Sequence, residues 1–391
     1  MTDTITNYRD RHDIVRRANE TRLIRIVAEN HPIGKPELMK LTGLSRPTVD
    51  LIVDGFLEKG VIKPIGMSEG RPGRKATLFE LDANAGFGLG FDLGGSKLAG
   101  AIANIAGEIL AEEIEPTAKP AGPRTVAQMV DMAKRLCEKT NIDLDRISQV
   151  TVGTPGIMNE AGELSLGENV DQLEGVHLQR ILAKMLDAEV VVENDVNVAA
   201  LGEFFHGTAM GINNFALLQI GTGIGCGIFL DGKLIRGHRG GAGETAFLPL
   251  FGDPSDPKAI ANGLLESVAG SKGIVREFEK QSGEEITVKE ICQRAKSGDQ
   301  IAMKLVDDVS KYWGYACASL SAIVDPEIII LSGGIGCNPI FLEKVRVVAN
   351  SLLPYTITIK QSKLENRAGV IGAASFSAER LIDKNIGRNN I

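Results

Sequence analysis

Residues 90–97, which read GFDLGGSK, constrain the fold most, because they place a glycine-rich turn between two apolar runs. The second apolar run, residues 98–103, follows directly. Small residues in such a turn let backbone N–H groups face a phosphate, which a larger side chain would block. Asp92 could hold a hydrated Mg²⁺ there, and Lys97 could supply positive charge. A tight β-hairpin needs the same residues, so this turn alone leaves both interpretations open.

The same layout of an apolar strand and a glycine turn recurs twice later in the chain. Residues 215–230 carry it around GTGIG, and residues 328–336 carry it around SGGIG. Two such halves facing a cleft would place one glycine hairpin on each side of a nucleotide's phosphates, with the third turn at the nucleoside end. The candidate nucleotide-binding residues are Asp92, Gly94, Gly95, Ser96, Lys97, Gly221, Thr222, Gly223, Gly333 and Gly334.

Asn194 and Asp195 form a second candidate site, because they lie between a strand at residues 190–193 and a helix at residues 196–205. A carboxylate at a strand end could accept a proton from a hydroxyl group that attacks ATP, and Asn194 could orient that hydroxyl. The alternative is that Asp195 caps the following helix, a common use of aspartate. The local pattern leaves both roles open.

Charge is distributed unevenly along the 391 residues. Residues 1–82 carry 14 Lys and Arg against 12 Asp and Glu, whereas residues 83–391 carry 29 against 38. The chain therefore has a net charge of −7, with a slightly basic N-terminal segment ahead of an acidic body. An acidic body repels nucleic acid, so we expect any DNA contact to belong to the N-terminal segment.

That segment has the pattern of a winged helix-turn-helix. Residues 13–29 have helical apolar spacing, Pro36 opens a short second helix, and Ser45 can cap a third helix with an apolar stripe from Val49 to Leu57. Residues 60–63 and 76–81 predict a two-stranded wing. The exposed start of the third helix would enter the major groove, and the basic wing tip a minor groove. A solvated basic loop on a protein-binding winged helix is the alternative. The candidate DNA-binding residues are Ser45, Arg46, Pro47, Thr48, Arg71, Gly73, Arg74 and Lys75.

Composition excludes several other classes of protein. No apolar run approaches the ~18 residues that a membrane-spanning helix needs, and the first residues lack the basic and apolar regions of a signal peptide. The five cysteines are scattered without a CxxC pair. These features predict a cytoplasmic protein with reduced thiols and no membrane partner.

Taken together, these residues resemble the ROK family of repressors, open reading frames and sugar kinases, over essentially the whole chain. The matching motifs are residues 92–97 (DLGGSK), 153–156 (GTPG), 193–197 (ENDVN), 221–225 (GTGIG) and 243–244 (GE). The resemblance implies an α/β, two-lobed, ribonuclease H-like fold of the actin and hexokinase group. A winged helix ahead of that body is typical of the family's repressor branch. We therefore expect a winged helix-turn-helix domain at residues 1–82 and a ROK domain at residues 83–391.

The resemblance also implies roles for particular residues. Asn194, Asp195, Glu244 and Glu266 would contact sugar hydroxyls, and Asn169 is a looser match for the same role. In the family's kinases, Asp195 would be the catalytic base.

One departure from the family concerns zinc. Family members usually carry a histidine where this chain has Phe247, and their zinc-binding cysteines correspond to residues 251–263, which contain neither cysteine nor histidine. Zinc needs about four N, S or O ligands. We therefore expect no metal site and no zinc in this chain. His206 and His238 are isolated in the sequence and are expected to lie at the surface or line the cleft.

Two functions from different classes follow from these expectations. The first is a regulator, with repression favoured over activation, whose dimer or tetramer leaves operator DNA when a small carbohydrate or polyol binds the cleft. It requires no cofactor. The second is an ATP- and Mg-dependent carbohydrate kinase, or a bifunctional regulator and kinase, since Asp195 and all three glycine turns are present.

Overall fold

The computed structural model describes residues 2–68, 75–119, 123–158, 164–165 and 178–385, with side chains described for 15–68, 75–119, 123–156 and 178–384. These residues form an N-terminal head and two lobes, each lobe built on a five-stranded sheet. Across the described ranges, no helix combines the length and the apolar character of a membrane span.

The head has the element order of a winged helix-turn-helix. Its elements are α1 (Thr2–Asn30), β1 (Ile33–Gly34), α2 (Lys35–Thr42), α3 (Arg46–Glu58), β2 (Ile62–Met67) and β3 (Thr77–Leu81). The apolar side chains of α3 recur at helical spacing and are buried. The predicted two-stranded wing is a three-stranded antiparallel sheet in the order β1–β3–β2. The extra strand has only two residues, which is too short for an alternating pattern to reveal.

Lobe 1 contains a mixed sheet in the order β10–β7–β4–β5–β6. Its elements are β4 (Phe87–Leu93), β5 (Lys97–Asn104), β6 (Ile109–Pro116), α4 (Pro123–Thr140), β7 (Ile147–Thr154), β8 (Ile157–Met158), β9 (Leu164–Ser165), α5 (Leu178–Leu186) and β10 (Glu189–Asn194). Strands β4, β7 and β10 are parallel, with Asp92 paired to Gly153 and Asn194 to Thr154. Their carboxyl ends therefore bring Asp92 and Asn194 to one edge of the sheet, on either side of β7.

Lobe 2 repeats this plan with the order β13–β12–β11–β14–β15. Its elements are α6 (Asp195–His206), β11 (Phe215–Ile220), β12 (Ile224–Leu230), β13 (Lys233–Leu234), α7 (Pro257–Asn262), α8 (Leu264–Ala269), α9 (Ser271–Ser282), α10 (Val288–Lys296), α11 (Gln300–Val324), β14 (Ile328–Ser332), α12 (Gly333–Gly336), α13 (Pro339–Ser351), β15 (Ile359–Gln361) and α14 (Ala368–Asn385). Both glycine hairpins, β4–β5 and β11–β12, are antiparallel. The duplicated α/β fold expected from the sequence is confirmed.

Helices α6 and α14 cross where the two lobes meet. α6 packs into a cluster with the sheet of lobe 2, and α14 packs into a cluster with β5 of lobe 1. At the crossing, a Cβ atom on Gly372 would lie 1.7 Å from the Val198 carbonyl oxygen, so only glycine permits this backbone contact. The crossing therefore joins the lobes through closely packed backbone.

The far end of α14 reaches the head. Leu381 and Ile105 belong to the same buried cluster as the apolar core of the head. Arg25 on α1 lies 3.3 Å from Glu379 on α14. Since α14 has 18 residues, it extends for about 27 Å from the edge of the cleft to the head.

Candidate functional site

The turn from β10 into α6 presents two predicted site residues together. Asn194 is the helix cap, and its Oδ1 accepts hydrogen bonds from the N–H groups of Val196 at 2.9 Å and Asn197 at 3.2 Å. Its Nδ2 donates to the Gly156 carbonyl at 3.2 Å. Capping thus falls mainly to Asn194, although Asp195 Oδ1 also lies 2.9 Å from the Val196 nitrogen. Asp195 is half-buried in the first turn of α6, and its carboxylate is not required as the main cap of the helix.

Three acidic side chains from three segments converge on this point. Burial raises the pKa of Asp92 to about 7, with a further rise from the charge of Asp195 and a partial offset from Lys97. Burial also raises the pKa of Asp195 to about 6. Glu244 has a raised pKa for two reasons, its burial and the charge of Asp195. Because the charge of Asp195 acts on both Asp92 and Glu244, the three carboxyl groups lie near one another.

Glu244 reaches the cleft because Gly243 ties its segment to β12. The Cys226 N–H donates to the Gly243 carbonyl at 2.8 Å. Gly243 has a φ of +87°, and a Cβ atom there would lie 1.8 Å from the Cys226 carbonyl oxygen. Glycine is therefore required at this position, and the sequence pair Gly243-Glu244 has a structural reason as well as a family resemblance.

Glu266 lies at the second glycine turn. Its Oε2 accepts a hydrogen bond from the Ile224 N–H at 2.8 Å, 42 residues away in sequence. At least one oxygen of this predicted sugar-contacting residue is therefore engaged with the backbone that follows Thr222 and Gly223. Glu266 supports the turn in addition to any contact with a ligand.

The first two glycine turns are tight β-hairpins, which is the alternative interpretation that the sequence left open for the first of them. The Gly94 N–H donates to the Lys97 carbonyl, and the Gly221 N–H to the Gly223 carbonyl, both at 2.9 Å. Gly95 and Ser96 remain exposed at the tip of the first turn. The third predicted turn differs, because Gly333 and Gly334 open the short helix α12 directly after β14. Lys97 Nζ approaches the Asn366 carbonyl at 3.5 Å, and Gly334 lies close to the Asn366 side chain, so the first and third turns meet there.

The remaining predicted residues outside the head are Asn169 and the two histidines. Asn169 lies outside the described residues. His206 and His238 are both exposed, and His206 Nε2 lies 2.9 Å from Ser375 Oγ. Within the described ranges, no three His, Cys, Asp or Glu side chains are grouped as metal ligands would be.

The segment that corresponds to the family's zinc-binding region carries two exposed phenylalanines, Phe247 and Phe251. Phe247 is 45% exposed. The ring of Phe251 lies 4.5 Å from that of Tyr312 and 4.9 Å from that of Tyr315, measured between centroids. A phenylalanine provides no donor atom for zinc, so the residues at this position do not fit a zinc site.

The predicted DNA-binding residues of the head lie at the start of α3. Ser45 occupies the cap position, but its hydroxyl group bonds to the Thr48 hydroxyl at 2.8 Å and caps no backbone N–H. Pro47 has no N–H to offer at the second helical position, so one of the two usual hydrogen-bond donors to a cap is absent here. Pro47 is exposed, and the Arg46 side chain is 70% exposed.

Two neighbours of this surface were missed by the sequence analysis. Lys35 Nζ lies 2.9 Å from Asp50 Oδ1, and this hydrogen bond holds the pKa of Asp50 below its usual range. Leu51 is 65% exposed on the outer face of α3. Lys75 is described and exposed, whereas the predicted wing residues Arg71, Gly73 and Arg74 lie outside the described residues.

A buried charged group beside the cleft was also missed. Glu193, whose side chain is 10% exposed, contacts Arg236 at 2.6 Å. The available signal was a glutamate at the end of the apolar strand Val190–Val192, because a charge in such a strand needs a partner.

The model of the ROK family matches residues 88–380, which is three quarters of the chain and includes both lobes. The chain belongs to the ROK family.

Similarity to particular proteins extends beyond the two lobes. The xylose repressor of Caldicellulosiruptor bescii is 28% identical over 387 residues, covering 93% of this chain and 96% of that protein. The solved structure of a ROK family transcriptional regulator, a homologue of the E. coli MLC protein, superposes with a TM-score of 0.81 at 23% identity, covering 95% of this chain and 98% of that one. The ROK hexokinase from Thermus thermophilus gives a TM-score of 0.68 at 29% identity, but covers 76% of this chain and 99% of that one.

Proposed function

We propose that this chain is a carbohydrate-responsive transcriptional repressor. The observation that carries the proposal is that one chain joins a winged helix-turn-helix head to a ROK body whose cleft is lined by carboxylates. The relatives support it as well. The xylose repressor matches the chain along 93% of its length, whereas the hexokinase covers 76% of it.

The head is proposed to bind operator DNA through α3 and the wing. Ser45, Arg46, Pro47 and Thr48 are exposed or half-buried at the helix start and would read the major groove. The wing residues proposed to contact the minor groove are Arg71, Gly73, Arg74 and Lys75. Two chains would place two heads on a palindromic operator about one helical turn apart, so the proposed assembly is a homodimer or a pair of dimers.

The cleft is proposed to bind a small carbohydrate or polyol. The cleft offers amide and carboxylate groups, from Asn194 and Asp195 at the start of α6 and from Glu244 after Gly243. Glu266 lies beside them and supports the second glycine turn. Asn169 is proposed as a further contact. Because burial raises the pKa of Asp195 to about 6, its carboxyl group can both accept hydrogen bonds from sugar hydroxyls and donate one to them.

Helix α14 supplies a route from the cleft to the head. Gly369, near its start, packs against the Asp92 carboxylate, and Leu381, near its end, lies in the core of the head. Arg380 pairs with Glu189, the first residue of the strand that ends at Asn194. A ligand that favours one arrangement of the lobes would therefore move both ends of this helix, provided that its affinity differs between the two states.

The proposal can be tested with the purified full-length chain. DNA fragments that it selects from a random library should bind with strong salt dependence, since phosphate contacts release counterions. One or more sugars from a panel of pentoses, hexoses and amino sugars should then weaken this binding by about 10-fold or more, the range of typical coupling. Absence of sequence-selective DNA binding, or a sugar panel without effect, would contradict the proposal.

Carbohydrate phosphorylation is a second candidate, and the raised pKa of Asp195 near the three glycine turns favours it. ATP with Mg²⁺ would supply the phosphoryl group, near Asp92 and Lys97, and Asp195 would accept the sugar hydroxyl proton. Asp195→Asn preserves shape but removes the base. Rapid ADP formation by the wild type that this substitution abolishes would establish a kinase, whereas ligand-dependent DNA release without turnover would establish a regulator.

A further inference from the structure

Glu193 holds the backbone and side chains of the turn that presents Asn194 and Asp195. Its Oε1 accepts a hydrogen bond from the Asn194 N–H at 3.0 Å and another from Asn197 Nδ2 at 2.9 Å. The carboxylate is almost buried, and a buried carboxylate without a positive partner costs free energy. The orientation of the turn therefore depends on whatever group compensates this charge.

Arg236 supplies that compensation from the other lobe. Its Nε donates to Glu193 Oε2 at 2.6 Å, and its guanidinium lies 5.9 Å from the ring centroid of Phe376 on α14. The Glu193 side chain is 10% exposed and that of Arg236 is 46% exposed. Loss of Arg236 would leave a nearly buried carboxylate without its positive partner, which favours its reorientation towards water.

The backbone of Arg236 also fixes the segment that leads to Glu244. The Ala242 N–H donates to the Arg236 carbonyl at 3.0 Å and closes the loop between them. Gly243 and Glu244 follow directly, with Gly243 bonded to Cys226. Arg236 thus contacts Glu193, which precedes the Asn194–Asp195 turn, through its side chain, and the Glu244 segment through its carbonyl group.

We propose that Arg236 is a positioning residue, which holds the Asn194–Asp195 turn and Glu244 at the spacing that a carbohydrate requires. The carbohydrate part of this inference rests on the proposed function. Arg236 acts through Glu193 and through its own loop.

The test compares Arg236→Met, Arg236→Lys and the control Arg239→Met in the full-length chain. Arg239 is an exposed arginine of the same loop, so its substitution removes the same charge. Hydrogen–deuterium exchange at residues 193–197 should become at least several-fold faster in Arg236→Met, stay at the wild-type rate in Arg239→Met, and be largely restored in Arg236→Lys. Unchanged exchange in Arg236→Met would overturn the positioning role.

Calorimetric titration with D-xylose, D-glucose and N-acetyl-D-glucosamine tests the link to carbohydrate. The affinity for whichever sugar binds the wild type should fall at least tenfold in Arg236→Met and recover in Arg236→Lys, with the ligand-free DNA affinity unchanged. Glu193→Gln combined with Arg236→Met should cost no more affinity than Arg236→Met alone, since both break the same contact.

Equal affinities in wild type and Arg236→Met would overturn the inference. A wild type that binds none of the three sugars overturns its carbohydrate part, and the exchange experiment still decides the positioning role.

Discussion

At the residue scale, burial raises the pKa values of the carboxyl groups in the cleft. Asp92 lies on β4 and Asp195 begins α6, yet each lies where the removal of water disfavours its charged form. Their pKa values near neutrality let the same two groups serve either as ligand contacts or as a proton acceptor. Residue type alone therefore does not distinguish the repressors from the kinases of this family.

Asp92→Asn should stabilise the chain at pH 8 and change it little at pH 4. The pKa of Asp92 in the folded chain is about 7, above its ordinary value of 3.8. The folded state therefore binds this proton more tightly than the unfolded state, and its stability falls as the pH rises from about 4 to about 7. Asparagine removes this loss of stability, so the free energy of unfolding of Asp92→Asn at pH 8 should be higher by about 1–3 kcal/mol, after allowance for solvent screening.

Calorimetric melting at pH 4, 6 and 8 at constant ionic strength measures this difference. A gain that does not depend on pH, or a loss at pH 8, would show that burial does not raise the pKa of Asp92.

The purified chain should contain far less than one zinc per molecule. Phe247 occupies the position of the histidine that is usual in the family, and residues 251–263 offer neither cysteine nor histidine. Elemental analysis after purification without added metal is the measurement. A full equivalent that survives dialysis against a mild chelator would contradict the expectation.

At the scale of elements, sequence patterns predict the helices and hairpins that are determined by interactions between neighbouring residues. The apolar stripe of α3 and both glycine hairpins follow from spacing and turn chemistry, and they form as expected. The contact of Glu266 with Ile224 spans 42 residues, and that of Arg236 with Glu193 spans 43. The first pair depends on packing within lobe 2 and the second on packing between the lobes, and no local pattern encodes either. The strand β1 was missed because two residues show no periodicity.

Arg46→Ala should weaken operator binding by ~1–3 kcal/mol if this side chain reads a base. Its exposed guanidinium begins α3, 3.7 Å from Asp50, and is available to DNA. Fluorescence anisotropy with a selected DNA fragment measures the loss. Lys134→Ala is the matched control, since it removes an exposed positive charge from α4 in lobe 1. Equal DNA affinity in the two variants would remove Arg46 from the proposed interface.

At the scale of the whole molecule, the head and the cleft share one helix. α14 crosses α6 beside the cleft and then contributes Leu381 to the core of the head. The head is therefore joined to the body by packed side chains, and the ion pair of Arg25 with Glu379 adds to this joint. A shift of the lobes about the crossing would reach the head through this contact.

Leu381→Ala should reduce the effect of sugar on DNA affinity while both ligands still bind. The substitution creates a cavity in the joint, where leucine truncation typically costs ~2–5 kcal/mol of stability. Leu186→Ala is the control, because Leu186 is equally buried in the core of lobe 1. Sugar affinity and DNA affinity are measured separately and then together for each variant. If sugar lowers the DNA affinity of Leu381→Ala as much as that of the wild type, α14 is not the route of coupling.

The most direct test of the central claim is the sugar concentration that releases half of a labelled DNA fragment from the wild type and from Glu244→Ala. Loss of a charged hydrogen-bonding partner typically costs ~1.5–3 kcal/mol, so release from Glu244→Ala should require at least about tenfold more sugar, with unchanged DNA affinity in its absence. Glu343→Ala, which changes an exposed glutamate on α13, should behave like the wild type. Release of Glu244→Ala and wild type at the same sugar concentration, or no release of the wild type by any sugar, would contradict the account.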